Sequence, residues 1–524
     1  MILDFREYDG PDVLEADLCI VGAGAAGISL AREFVGHPFD VCLVESGGFE
    51  LEAEVQALYQ GESVGIPVPL QASRLRYFGG TTGHWGGWCM ALTDADFRAR
   101  PWVPHSGWPI DSADLADYYA RAQVTCELGQ VVLDDDVWKG LGVDAPGWQP
   151  RKLVDRFWQR SAPTRFGAAY REELERAPNV RVLLHANLTE LATASDAGRV
   201  TGAVIQSFAG RRAVVRARRY VLACGAIENA RNLLLSDRVA RAGLGNQHDR
   251  VGRFFLAHPA CPGGHIVTNR PDALRGRTRW LAYPSRPAGK PTTNVRPGIF
   301  LAEVLQESEG VLNCVIGFSE IEAPKGVRAA RRALAALREG RLPENLSGTI
   351  RQIAGDFDEV LPALYRDWSE GEKAKFKVSF TCEQEPDPAS RITLSGERDA
   401  LGLRRVRVDW RVNDRFHRTA TIALRTLGAE LGRLELGRLH VAEWFQPELG
   451  VDTPVLVGWD HQMGTTRMSA NPKEGVVDVN CRVHGVANLY VAGGSVFPTS
   501  GVTSPTFTLV ALALRLADHL KSTA

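Results

Sequence analysis

The chain has 524 residues, 44% hydrophobic and 23% charged, a composition that excludes a disordered or fibrous protein and supplies two to four domain-sized units. Its 61 basic and 62 acidic residues leave a net charge of −1, with none of the basic excess of a nucleic-acid binder and no field to steer a strongly charged substrate. Glycine is high at 52 residues, and its clusters mark where backbone turns tightly or approaches something closely.

The first residues, with Asp4, Arg6, Glu7 and Asp9, hold no apolar core of a signal peptide. No run approaches the ~18 apolar residues of a membrane span. The expectation is a cytoplasmic chain without a membrane span. The nine cysteines include no CxxC pair, so buried free thiols in a reducing compartment are expected, and no metal site.

In chain order, a strand is predicted over 17–21, then Gly22-Ala23-Gly24-Ala25-Ala26-Gly27, a helix over 28–35 and a second strand over 40–44 ending at Glu45. That is a βαβ unit carrying the GxGxxG fingerprint, with an acidic residue at the ribose-binding distance. Each glycine has a reason: a tight turn, backbone access to a pyrophosphate, and close packing of helix on strand. The pyrophosphate would sit on the helix N-terminus. Glu45 would accept the ribose hydroxyls of either NAD or FAD. One fingerprint near the N-terminus, with the site completed by later chain, favours FAD.

Further strands are predicted over 180–184, 219–223 and 488–492. Between about 257 and 455 the pattern changes to alternation, as in 404–410, which predicts an antiparallel sheet with one wet face. A charged helical insert at 325–375, including a helix over 327–341, interrupts it and reads as a solvated arm or a lid. The final helix is predicted over 505–520, with Ser504 as N-cap and Pro505 at the first helical position.

Residues 78–87, Phe-Gly-Gly-Thr-Thr-Gly-His-Trp-Gly-Gly, resemble the flavin-contacting loop of glucose–methanol–choline (GMC) oxidoreductases. The likeness is closest to the branch of pyranose oxidases and bacterial sugar and glycoside dehydrogenases. Stretches 220–231, 383–391, 461–468 and 488–520 agree with the family in order. The resemblance implies an α/β fold, α+β overall: a Rossmann-type FAD domain assembled from 12–100, 179–256 and 456–524, a cap segment at 101–178, and a substrate domain at 257–455 with a largely antiparallel sheet and helices.

It also implies FAD contacts at Gly22, Gly24, Ala25, Ala26, Gly27, Glu45, Ser46, Gly80, Thr81, His84, Trp85, Gly86, Gly87, Leu188, Ala223, Gly225, Gly493, Gly494, Ser495 and Thr506. FAD is expected to be noncovalent, with a link through His84 as the alternative. The family oxidises alcohols by hydride transfer to flavin N5 while a histidine takes the hydroxyl proton, and His461 stands at that position. Substrate contacts are expected at Gln384 and Gln462, with Trp85, Trp88 and Trp459 as a stacking wall. The expected substrate is a neutral sugar or glycoside oxidised at a secondary hydroxyl. A non-sugar alcohol or polyol, or a flavoprotein that has lost alcohol oxidation, are the alternatives. The electron acceptor (oxygen, quinone or a partner haem protein) and the oligomeric state stay open. Two residues depart from the family: Ser504 replaces the usual Asn or His before the last helix, and Gln462 stands where relatives often carry another His.

Overall fold

The computed structural model describes residues 1–129, 137–142, 144–283, 293–343, 345–370, 373–445, 456–458 and 460–523; Trp459 lies outside them. The apolar strand Val13–Val21 pairs in parallel with Val41–Val44 on one side and with Arg212–Leu222 on the other. Val180–Leu184 and then Ile2–Asp4 extend this sheet in parallel. Arg212–Leu222 forks: its first residues pair antiparallel with Val200–Gln206, and its last three pair in parallel with Leu489–Val491. Both faces of the parallel centre are covered, so its strands read as continuous apolar runs rather than alternating ones. Cys19 to Val21 and Val41 to Val44 are all nearly inaccessible to solvent.

A second sheet is antiparallel, in the order Arg438–Val441, Ala260–Thr268, Ala374–Cys382, Cys314–Ile321, Thr293–Leu301, Leu153–Arg160 and Trp88–Cys89. Helix Asp414–Arg433 packs on one face through Phe416, Leu424 and Leu427. The alternating stretch Arg404–Trp410 belongs instead to a three-stranded sheet, antiparallel to Arg391–Arg398 and parallel to Gly61–Gly65. Its alternation reports one buried face, which Val406, Val408 and Trp410 supply, and not which sheet it joins.

Helix boundaries differ from the sequence reading in three places, one being the last helix, Thr506–Ser522, which has Pro505 at its N-cap and not at its first position. The first helix is Ala25–Arg32, beginning directly after Gly24, because the glycines turn the chain without an intervening loop. The insert is three helices, Lys325–Arg338, Leu346–Gly355 and Phe357–Glu370. Val327, Ala330, Val360 and Ala363 form their own small core, and Arg331 pairs with Asp367 at 2.8 Å. Phe357, Leu361, Tyr365 and Trp368 stay on the outside of that bundle.

Candidate active site

The carboxyl ends of the central parallel strands, where ligands bind in open α/β sheets, open into a cavity of about 720 Å³. That volume lies in the upper part of the range for small-molecule sites. Three glycines shape its floor for different reasons. Gly22 has φ +104°, and a Cβ there would meet the Ala223 carbonyl at 2.7 Å. A Cβ on Gly27 would lie 1.8 Å from the Gly22 carbonyl oxygen, so that position holds helix against strand. A Cβ on Gly24 would meet no protein atom within 4 Å. Protein packing does not require glycine there; the open space is where a pyrophosphate would approach the helix N-terminus, which no side chain caps.

Glu45 is buried, and its two carboxylate oxygens accept from the backbone N–H groups of Ala23 at 2.8 Å and Gly47 at 3.0 Å. The remaining lone pairs can receive ribose hydroxyls. Beside it stands a buried charge cluster that sequence reasoning did not single out. Glu228 lies 3.1 Å from Arg74, 3.3 Å from Arg76 and 3.2 Å from Arg231, and Arg231 also pairs with Asp399 at 2.6 Å. Burial alone would push the Glu228 carboxyl up, and the guanidiniums of Arg231, Arg76 and Arg74 outweigh it, holding it at about 2. Arg74, Arg76 and Glu228 all line the cavity.

The glycine-rich loop closes the next side. Gly80–Gly83 is a short 3-10 turn. Arg165 pins it by donating to the carbonyls of Thr82 and Trp85, each at 3.0 Å. The Trp85 indole N–H donates to the Thr164 carbonyl at 2.8 Å, so its ring is fixed at the wall. Burial and then Arg165 lower the pKa of His84. The helix Thr506–Ser522 points its N-terminal turn, with Ser504 and Pro505 before it, into the same cavity. Its positive end faces any negative charge that develops there.

Of the expected cofactor contacts, Gly22, Gly24, Ala25, Ala26, Glu45, Ser46, Gly80, Thr81, His84, Trp85, Gly86, Gly87, Leu188, Ala223, Gly225, Gly493, Gly494 and Thr506 share this one wall. Gly27 and Ser495 lie behind it. The Ser495 hydroxyl is fully buried and accepts from the Asn229 side-chain amide at 2.9 Å, which ties the second family-like stretch to the last strand. His461, Gln462, Ser504 and Trp88 also line the cavity.

Gln384 does not. It is buried beneath the site, where its oxygen accepts from the Ala257 backbone N–H and the Trp410 indole, both at 2.9 Å. Its amide nitrogen donates to the carbonyls of Phe255 and Arg411 at 3.1 and 3.0 Å. All four of its hydrogen-bonding capacities are used, which leaves nothing for a sugar. The neighbouring Glu383 is equally committed, to Arg100 at 2.5 Å. Ser504 is also corrected as a cap: the last helix has no side-chain cap bond.

His461 is brought to the cavity by an antiparallel bridge. Leu256 and Met463 exchange backbone hydrogen bonds at 3.0 and 2.9 Å, and that register sets His258 opposite His461. Their Nδ1 atoms are 2.8 Å apart, with the rings nearly perpendicular at 87°. Burial lowers the pKa of His461, partly offset by Asp460.

Residues 386–513 match the family model described as GMC oxidoreductase. That match spans about a quarter of the chain and supports the GMC oxidoreductase family. It is 26% identical to the fructose dehydrogenase large subunit of Gluconobacter japonicus over 58% of this chain and 47% of the relative, about half of that protein's length. It is 24% identical to the 2-methyl-1,2-propanediol dehydrogenase of Mycolicibacterium austroafricanum over 97% of this chain and 95% of the relative. In fold it is similar to pyridoxine 4-oxidase from Mesorbium loti, with a TM-score of 0.53 and 18% identity over 96% of this chain and 99% of the other. GMC oxidoreductases bind FAD, and the open cradle at Gly24, the ready acceptors on Glu45 and the cavity volume fit that cofactor. Among the described residues no helix is long and apolar enough to cross a membrane.

Proposed function

We propose that the protein is an FAD-dependent oxidoreductase that converts a secondary hydroxyl of a sugar or glycoside to a ketone, with His461 as the base. Bound in the cavity, FAD supplies the hydride acceptor. The observation that carries the reading is the placement of His461 and Ser504 on one cavity wall with Gly22, Gly24, Glu45 and Gly80, from the two ends of the chain. Because burial lowers its pKa, the His461 imidazole is neutral at pH 7 and able to take the hydroxyl proton. Ser504 makes no hydrogen bond within the described residues that would hold its hydroxyl away from the cavity. It therefore serves as a second donor to the substrate oxygen, shorter than the family's Asn and with one donor instead of two. Gln462, held by its bond to the Ser73 hydroxyl at 3.0 Å, and the Trp85 and Trp88 rings give the substrate a polar and an aromatic side.

The cofactor is held noncovalently, with His84 packing against it. Acid precipitation of the protein should leave a colourless pellet, and a yellow pellet would show a covalent link. The likeness to a diol dehydrogenase supports a second reading, oxidation of a polyol. Anaerobic mixing with sugars, glycosides and polyols separates the two, since the true substrate class bleaches the yellow flavin absorbance. If no alcohol bleaches it, or if His461→Ala bleaches as fast as the parent, the catalytic assignment is wrong.

A further inference from the structure

We propose that His258 is a positioning residue that holds His461 in the tautomer with its proton on Nδ1 and its lone pair on Nε2, facing the cavity. The proposal rests on His461 being the base and adds the group that makes it one. His258 is buried, at 2% exposure, and does not line the cavity. It touches the reaction only through His461.

The chemistry of the partners decides the direction of each hydrogen bond. His258 Nε2 faces the backbone carbonyl of Ser500 at 3.4 Å, and the Gly501 carbonyl also faces the ring. A carbonyl can only accept, so Nε2 of His258 carries the proton. Burial, then His461, lower the His258 pKa to about 3, so at neutral pH it holds a single proton. With that proton on Nε2, His258 Nδ1 is a bare acceptor. The contact from His258 Nδ1 to His461 Nδ1 is 2.8 Å, a full hydrogen-bond distance. Its donor must be His461 Nδ1–H. The neutral His461 ring then has its lone pair on Nε2, which makes no hydrogen bond within the described residues while the ring lines the cavity.

Two consequences follow from this arrangement. Free histidine in water prefers the opposite tautomer, with the proton on Nε2, which could not accept a hydroxyl proton at that atom. The chain Ser500 C=O, His258, His461 reverses that preference. When His461 takes a proton on Nε2, its Nδ1–H remains donated to a neutral ring rather than to a charged one, so the imidazolium keeps its partner without like-charge repulsion. Asp460 is the charged group that favours this protonated form.

The test uses holoenzyme labelled with ¹⁵N-histidine, in which nitrogen chemical shifts distinguish a protonated from a lone-pair nitrogen. His461→Gln identifies the signals. The expected result is a protonated Nδ1 and a bare Nε2 on His461 at neutral pH. A protonated Nε2 there overturns the proposal, whatever the variants do. In His258→Phe the tautomer should shift toward Nε2–H, and the rate of flavin bleaching should fall roughly 10- to 100-fold, by analogy with the loss when the hydrogen-bond partner of a metal-ligating histidine is removed. His258→Gln offers an amide oxygen to His461 Nδ1–H and an amide nitrogen to the Ser500 carbonyl, and should recover most of the rate. Equal loss in both variants, with both folded and holding FAD, refutes the acceptor role. If no alcohol reduces the flavin, the functional reading fails while the nitrogen spectra still decide the tautomer.

Discussion

Replacing Glu228 by Gln removes the one carboxylate that faces Arg74, Arg76 and Arg231 together. The magnitude follows from its proton affinity. In the folded chain Glu228 titrates at about 2, against 4.5 for an ordinary glutamate. At about 1.4 kcal/mol per pH unit, that gap is worth ~3 kcal/mol of folding free energy at pH 7. The sign follows from the lowered value: the stabilisation is complete above pH 4.5 and is lost as the pH falls toward 2. Glutamine keeps the volume, but its amide nitrogen cannot accept from a guanidinium as the carboxylate oxygen does, and the buried guanidiniums lose their counter-charge; breaking a buried pair costs about 3–5 kcal/mol. Urea titration of the holoprotein at pH 7, followed by circular dichroism and by release of flavin, should show a loss of about 3 kcal/mol in Glu228→Gln. Repeated between pH 5 and 3, the parent should lose stability more steeply than the variant, because only the parent has this carboxylate to protonate. A loss under about 1 kcal/mol with parallel acid limbs would refute the reasoning.

The two fingerprint glycines should separate packing from ligand contact. Gly27→Ala drives a Cβ into the Gly22 carbonyl and should destabilise the fold by about 1–3 kcal/mol, seen as a lower melting temperature and poor flavin retention. Gly24→Ala meets no protein atom, so its apoprotein should melt within a few degrees of the parent while FAD affinity drops about tenfold or more; unchanged affinity would remove the pyrophosphate from that space. Gln384→Ala should cost about 3 kcal/mol in urea, because buried groups at Ala257, Trp410, Phe255 and Arg411 lose their partner. A raised KM at unchanged stability would instead return Gln384 to the substrate site. Ser504→Ala should slow flavin reduction while leaving stability within about 0.5 kcal/mol, since a true cap would cost about 1 kcal/mol. The acid limb of flavin reduction should lie below pH 6.5, because burial, opposed by Asp460, lowers the His461 pKa; a limb above 6.5 in stopped-flow pH profiles contradicts that environment.

What the sequence by itself determined is local. The βαβ fingerprint was legible because its glycines answer to steric demands within a few residues: Gly22 needs a positive φ, and Gly27 must pass the Gly22 carbonyl. The strand Val180–Leu184 fell where its apolar run predicted, since a run buried on both faces needs no partner to be recognised. Alternation in Arg404–Trp410 likewise announced a half-buried strand, yet said nothing of its neighbours, because the pleat fixes which side faces inward and not which strand lies beside it.

Only the tertiary structure decided what lies around those elements. Ser504 precedes a helix and carries a side chain suited to capping, but no side chain caps that helix and Ser504 lines the cavity. Gln384 is polar and close in sequence to two glutamates, but burial made it a strut. Glu228 and Arg231 lay in a stretch already noted for its family likeness, while their meeting with Arg74, Arg76 and Asp399 depends on three distant segments closing together. His258 gave no signal at all. It meets His461 across 203 residues because Leu256 and Met463 happen to bridge in one register. Glycine sterics and strand periodicity are properties of neighbouring residues, so they can be read in a line. Charge pairing and tautomer choice depend on which groups share a buried space, and that is set only when the chain closes.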